Sequence, residues 1–409
     1  MKQVFISLVL AVLILSAGAC AALLEAERES VVPRTPTPYE PAISPPQERI
    51  EVTDSYDLNT EILSLIMAHE SVGLFVTYDF DLPDIQEEVE RVAKEIEMYN
   101  PIGAYATSSI TAVTRKNTAY TEIDILIEYK RTQEQVNSII PVATIRYLRA
   151  ELLGVLREHR DEVAFRTSLN ISEEDIREFI KEIYYDNPRS IIMLPIVAVE
   201  AFPEDSVDRI IELHFGHIEP SSLLQQYAER LAINVRYNAG LAVGRNDAEI
   251  LLTLARNLIA STYFDEPAAR AISEHGPQNF AATAFSALER GTAVGEGFAM
   301  AFKALADELG FDCRIVLGYR DGMVHAWNIV FLFGEFYHVD VAMGAIYGLE
   351  TTFLKTDYDF IEMLYEWDFE NTVRCNGTLT YEDIVYLGDD MQYNDIDDAI
   401  INEEETYTA

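Results

Sequence analysis

"GTAVGEGFAMAFKALADELGF" runs from Gly291 to Phe311. Phe298, Phe302, Leu305 and Leu309 stand at i, i+4, i+7 and i+11, which is one apolar stripe of a helix. Gly310 follows as a residue suited to stop that helix with positive φ. Gly295 then lies near the helix N-terminus. Backbone N–H groups there lack intrahelical partners, and the macrodipole favours negative charge. A cysteine at such a place becomes a reactive thiolate, and the same N–H groups can stabilise an oxyanion. The residue at that place is glycine.

Working outward, "DCRIVLGY" (Asp312–Tyr319) reads as a strand with Cys313, Ile315, Leu317 and Tyr319 on one face. "HAWNIVFL" (His325–Leu332) and "EFYHVDV" (Glu335–Val341) read as two more strands around the turn Phe333-Gly334. A two-residue turn sets Leu332 opposite Glu335 and Trp327 opposite Asp340. His325 shares the face of Trp327, so Asp340 is its diagonal neighbour, within side-chain reach. A carboxylate on a histidine orients the ring and stabilises its cationic form. Beside a helix start, this is the frame of a Cys–His–Asp site.

These blocks, with "ARNLIASTYFDE" (Ala255–Glu266) upstream, resemble the core of the bacterial transglutaminase-like superfamily. The resemblance runs from about Glu249 to Met343. It implies a papain-like fold, a Cys–His–Asp triad, and relatives that include acyl-transfer enzymes and cysteine peptidases. His325 matches the family histidine and Asp340 the family aspartate. Gly295 falls at the cysteine, in "AVGEGFA" where the family has an "AVCEGYA"-type block. The covalent route is closed to a residue without a side chain. Cys313, on the following strand, reads as a core thiol, and Thr292 comes three residues early without motif support. Glu296, Trp327 and Tyr337 are expected to line the cleft, Glu296 as part of the family pattern and the two aromatics mainly as packing. His214 and His217 in "HFGH" fall on opposite faces of a strand, which disfavours a metal site.

Upstream, a pattern recurs. "LFVTYDF" (Leu74–Phe80), the helix Asp84–Pro101 and a hairpin through Lys130 are followed by the start of another helix. "AFRTSLNI" (Ala164–Ile171), the helix Glu173–Pro188, the strands Ser190–Phe202 and Val207–His217, and a further helix repeat the order. Both long helices end in Asn-Pro. The expected fold class is α+β: two small repeated α/β lobes followed by a papain-like core, its helix packed on an antiparallel sheet. The expected organisation is a signal peptide 1–20, a Pro-rich linker 21–50, lobe 1 over 51–150, lobe 2 over 151–220, the transglutaminase-like domain over 221–374 and an acidic tail 375–409.

Lys2, the apolar run Val4–Leu15 and the small residues before Cys20 form a secretory signal. "LSAGAC" also resembles a lipobox, with Ala17 where a larger aliphatic residue is usual, which implies lipidation of Cys20. Plain secretion is the alternative. The expected location is the outer face of the cell membrane, held only by that lipid. With 69 acidic and 30 basic residues, a net charge of −39, nucleic acid is excluded as a natural partner. No cofactor is expected, beyond loose calcium binding by the acidic tail.

Three readings of function follow. The chain is a catalytically inactive relative that binds peptide, protein or cell-wall material through its cleft or lobes. Or it is a peptidase- or acyltransferase-type hydrolase in which His325 activates water. Or it is a purely structural surface protein whose His–Asp pair holds a hairpin together. The first is the principal expectation.

Overall fold

Short polar residues start most of the helices in the first half of the chain. Asp54 accepts from Tyr56 N and Asp57 N to begin the helix Ser55–Ala68, and Asp84 begins Ile85–Tyr99. Thr144 begins Ile145–Arg157, and a Ser172/Asp175 capping box begins Glu173–Asp186. The second and fourth of these bury one stripe each: Val89, Val92, Ala93 and Ile96, then Ile176, Ile180, Ile183 and Tyr184. This is seen in a computed structural model that describes residues 49–78, 84–275 and 279–386. The signal segment, Cys20 and residues 21–48 of the Pro-rich linker lie outside the described residues, and Ile50, its expected last residue, already belongs to a strand.

The helices cover two sheets of one design. The first holds β1 (Ile50–Glu51), β2 (Val72–Thr77), β3 (Thr107–Lys116) and β4 (Thr121–Tyr129) in the order β1-β2-β4-β3. The second holds β5 (Ile140–Val142), β6 (Glu162–Thr167), β7 (Ile196–Phe202) and β8 (Arg209–Gly216) in the order β5-β6-β8-β7. In each the first pair is parallel and the others antiparallel. The repeated unit thus opens with a short strand and a helix that the sequence reading left out of both copies. The expected lobe boundary at 150/151 cuts the helix Ile145–Arg157. That helix belongs to the second lobe, because Leu148, Leu152, Val155 and Leu156 pack in the same core as Ile176 and Ile180.

The first lobe has its own core around Ile62, Phe75, Ile96 and Ile125. The second lobe does not stand apart at 220/221. Its core runs on through Leu224, Leu251, Phe298 and Trp327. Between the lobes, Asn100 caps a further short helix, Pro101–Ala106, which carries Tyr105 toward the second sheet.

The remaining chain supplies a parallel pair, β9 (Tyr263–Phe264) with β10 (Thr292–Ala293), and a five-stranded antiparallel sheet. The latter comprises β11 (Cys313–Arg320), β12 (Met323–Leu332), β13 (Glu335–Val339), β14 (Phe353–Lys355) and β15 (Tyr365–Trp367), ordered β14-β13-β12-β11-β15. The helix Gly295–Glu308 lies on this sheet and is buried nearly all round, not on one stripe; Leu309, beyond its end, is partly exposed. Gly310 has φ 87°, as a helix stop requires. Phe333 and Gly334 have φ 51° and 87°, and this two-residue turn holds Leu332 opposite Glu335 through to Asn328 opposite Val339.

The acidic tail begins later than 375. Cys375 is fully buried, its N–H donates to Asp357 Oδ1 (3.1 Å), and Ile384 on the helix Tyr381–Tyr386 packs into the main core. The rest of the tail, with its expected calcium affinity, lies outside the described residues. No helix of the described residues is long and apolar enough to cross a membrane.

Candidate functional site

Asp340 is the first residue past β13 and the N-cap of the helix Val341–Tyr347. Its Oδ1 accepts from Met343 N (2.9 Å), which fixes the carboxylate plane. Its Oδ2 accepts from His325 Nε2 (2.5 Å) and from the Tyr365 hydroxyl (2.8 Å). Burial alone would raise the Asp340 pKa. The charge and hydrogen bond of His325, with the other two donors, outweigh it and hold the carboxyl below its ordinary value. Burial, with Asp340 beside it, pushes the Tyr365 hydroxyl far up, so it stays a donor.

With Nε2 committed to Asp340, the Nδ1 edge of His325 turns to the helix N-terminus. A Cβ built on Gly295 would stand 2.5 Å from both Nδ1 and Cε1 of that ring. The imidazole therefore occupies the space a side chain at 295 would need. The helix N-cap is Val294, and no side chain caps the first N–H groups. His325 itself is only 9% exposed.

These groups form the floor of a cleft of about 990 Å³. One wall holds Leu317, Tyr319, Met323 and Val324; another holds Met343, Ile346 and Tyr347. Glu296 lines it too, accepting a 2.9 Å hydrogen bond from the Tyr185 hydroxyl of the second lobe. Burial pushes the Glu296 carboxyl up to about 7, against the opposing pull of that hydrogen bond.

Trp327 and Tyr337 do not line the cleft, contrary to the sequence reading. Both are about 1% exposed and lie within the core. Trp327 folds across Gly318, where a Cβ would meet the indole at 2.9 Å, and its Nε1 donates to His338 Nδ1 (2.9 Å). Tyr337 donates to Glu335 Oε2 (2.8 Å) and accepts from Leu379 N (3.2 Å). Cys313 is a buried free thiol that burial pushes well above its ordinary pKa, and Thr292 lies exposed on β10. His214 pairs with Glu212 (3.3 Å), while His217 makes no hydrogen bond and the two share no ligand position.

One further cluster, His338, Asp357 and Cys375, has donor atoms within 4.8 Å of one another. Trp327 donates into His338 Nδ1, so the proton sits on Nε2 and goes to Asp357 Oδ1 (3.0 Å). A metal at Nε2 would have to displace that proton while Nδ1 remains an acceptor, leaving an imidazolate. The cluster is closed by its own hydrogen bonds. Tyr185 and Arg320 also line the cleft, with Tyr365 behind Asp340; Tyr185 and Tyr365 come from elements the local sequence pattern does not connect to the site.

An uncapped helix N-terminus thus faces a His–Asp pair at the end of an antiparallel sheet. Residues 259–341 match the family described as the transglutaminase-like superfamily. The chain is similar to a crystal structure of a TGase, at 11% identity and TM-score 0.24, covering 66% of this chain and 51% of that one. It is also similar to a provisionally assigned cysteine protease from Cytophaga hutchinsonii, at 13% identity and TM-score 0.23, covering 36% of this chain and 62% of that one. The chain thus spans less than two thirds of either structure. No curated protein matches it significantly.

Proposed function

We propose that this protein binds a peptide or protein segment in its transglutaminase-like cleft without forming a covalent acyl intermediate. The observation that supports this most directly is the seat of His325 against Gly295, which leaves neither a nucleophile nor the room for one. The cleft keeps what recognition of a peptide needs: free helix N–H groups for a carbonyl or carboxylate, and apolar walls for side chains. The N-terminal signal and Cys20 suit a protein tethered outside the cell by a lipid, and Cys20→Ser should then abolish incorporation of a labelled fatty acid.

The test is to expose the purified chain to peptide and ester pools and follow both turnover and intact mass. Saturable binding without product and without a mass adduct is expected. Product formation that disappears in His325→Ala would overturn the reading. It would favour the hydrolytic alternative, for which one feature speaks: Nδ1 of His325 faces the cleft and is placed to take a proton from water.

A further inference from the structure

We propose that the ligand of this cleft presents a carboxylate to Arg320 and His325. The inference rests on the binding reading above and specifies its chemistry.

Arg320 ends β11, two residues beyond Gly318, which is paired with His325. In an antiparallel pair this places the Arg320 and His325 side chains on one face. The guanidinium lies 5.1 Å from the ring centre of Tyr347 and 5.5 Å from that of Tyr365. Two aromatic contacts hold its plane over the cleft. Its Nε is buried and has no hydrogen-bond partner. Among the described residues no carboxylate pairs with it, although the chain has 69 acids to 30 bases. Some arginines of the same body are ion-paired, Arg314 with Asp312 and Arg270 with Glu266, while Arg290 and Arg374 lie over aromatic rings. A partly buried guanidinium that meets the neutral Tyr365 hydroxyl and no carboxylate, in so acidic a protein, is poised for an anion from outside. Its planar fork suits a carboxylate.

The surroundings support the same sign of ligand. The other charged groups at the cleft are Lys181, Arg270, Glu266 and Glu296. Glu266 and Arg270 neutralise one another. Burial raises the Glu296 carboxyl to about 7, which reduces its repulsion of an anion near neutral pH, and Tyr185 donates to it. His325 is buried to nine tenths, its Nε2 is held by Asp340, and its Nδ1, without a partner, is the edge turned to the ligand. The uncapped N–H groups at Gly295 add the helix dipole. Exposed Tyr319, Met323, Val324, Ile346 and Tyr347 border these donors. The fitting ligand is therefore a peptide with apolar side chains next to its carboxylate, terminal or from Asp or Glu.

Three pools of N-acetylated tripeptides with apolar residues test this. One has free C-termini, one is amidated, and one is amidated with Asp or Glu at the last position. Binding is read by titration and by the His325 ring resonances of labelled protein. At least one carboxylate pool should bind about tenfold or more tighter than the plain amides. Which of the two does so identifies the source of the carboxylate. Arg320→Gln should remove the preference, and Arg320→Lys should restore part of it with the fold unchanged by circular dichroism. Equal binding of acids and amides would overturn the carboxylate inference and leave the binding reading intact. Binding by none of the pools would overturn both.

Discussion

His325 stands where a side chain at position 295 would begin: its Nδ1 and Cε1 lie 2.5 Å from the Cβ that any larger residue there would carry. The glycine and the ring position are therefore one feature. Gly295→Ala should cost about 1–3 kcal/mol by overpacking. The same change in a His325→Ala background should cost nothing, because the clash partner is gone. Denaturant unfolding of the two singles and the double measures the coupling. An equal cost in both backgrounds would show that the ring is not its source, and no cost in either would show that the ring yields freely. Gly295→Cys carries the idea to chemistry. If the ring retreats intact to pair with the new thiol, alkylation should proceed well below the free-thiol pKa of about 8.5.

Asp340 serves three donors at once, from His325, Tyr365 and Met343. Asp340→Leu leaves the His325 ring and the Tyr365 hydroxyl without their acceptor and should destabilise the fold by about 3–5 kcal/mol. The pH dependence has a definite sign. The folded carboxyl titrates below its ordinary 3.8. Its contribution is thus complete above the unfolded value and is lost as pH falls through the folded one. Asp340→Asn should flatten the acid limb of the stability profile below pH 4, measured against the parent by thermal melting.

The parts of the site nearest in sequence were the legible ones. Helical spacing and a two-residue turn are local, and together they set Gly295, His325 and Asp340 in order. Even there, Asp340 proved to be a helix cap one residue past the ladder, not a paired strand residue. Trp327 shares the strand face of His325, yet Gly318, its diagonal neighbour on the next strand, leaves room for its indole to fold inward to His338. Nothing in the alternation of a strand reports that. Tyr365 arrives through β15, whose Trp367 pairs with Gly318, and Tyr185 arrives from the second lobe. Such long-range pairings have no periodic signal. The lobes were misbounded for a related reason: Ile140–Val142 is too short a strand to show alternation.

The two lobes are joined by charges that are out of water. Arg131 holds Glu212, which is 2% exposed, through Nε (3.2 Å) and a second, shorter bond from the same guanidinium. The Tyr105 hydroxyl adds a third donor at 3.1 Å. Removing one partner strands the other, so Arg131→Met should cost about 3–5 kcal/mol. Pairing it with Glu212→Leu should recover most of that loss. Calorimetry on both variants separates this from a weak surface pair, for which the single change would cost about 1 kcal/mol or less.

His159 makes the second lobe sensitive to mild acid. It is 1% exposed; Nε2 accepts from Ile192 N (3.3 Å) and Nδ1 has no partner. Burial, with the nearby His217 ring, lowers its pKa to about 4. The unfolded chain takes up this proton near 6.5, before the folded one does. Stability from this group is therefore complete above 6.5 and is lost as pH falls toward 4. Between pH 7 and 5 the loss should be roughly 2 kcal/mol. His159→Phe should remove that slope while keeping the ring volume in the core. Melting temperatures at the two pH values decide it: an unchanged difference in the variant would assign the acid sensitivity to other groups.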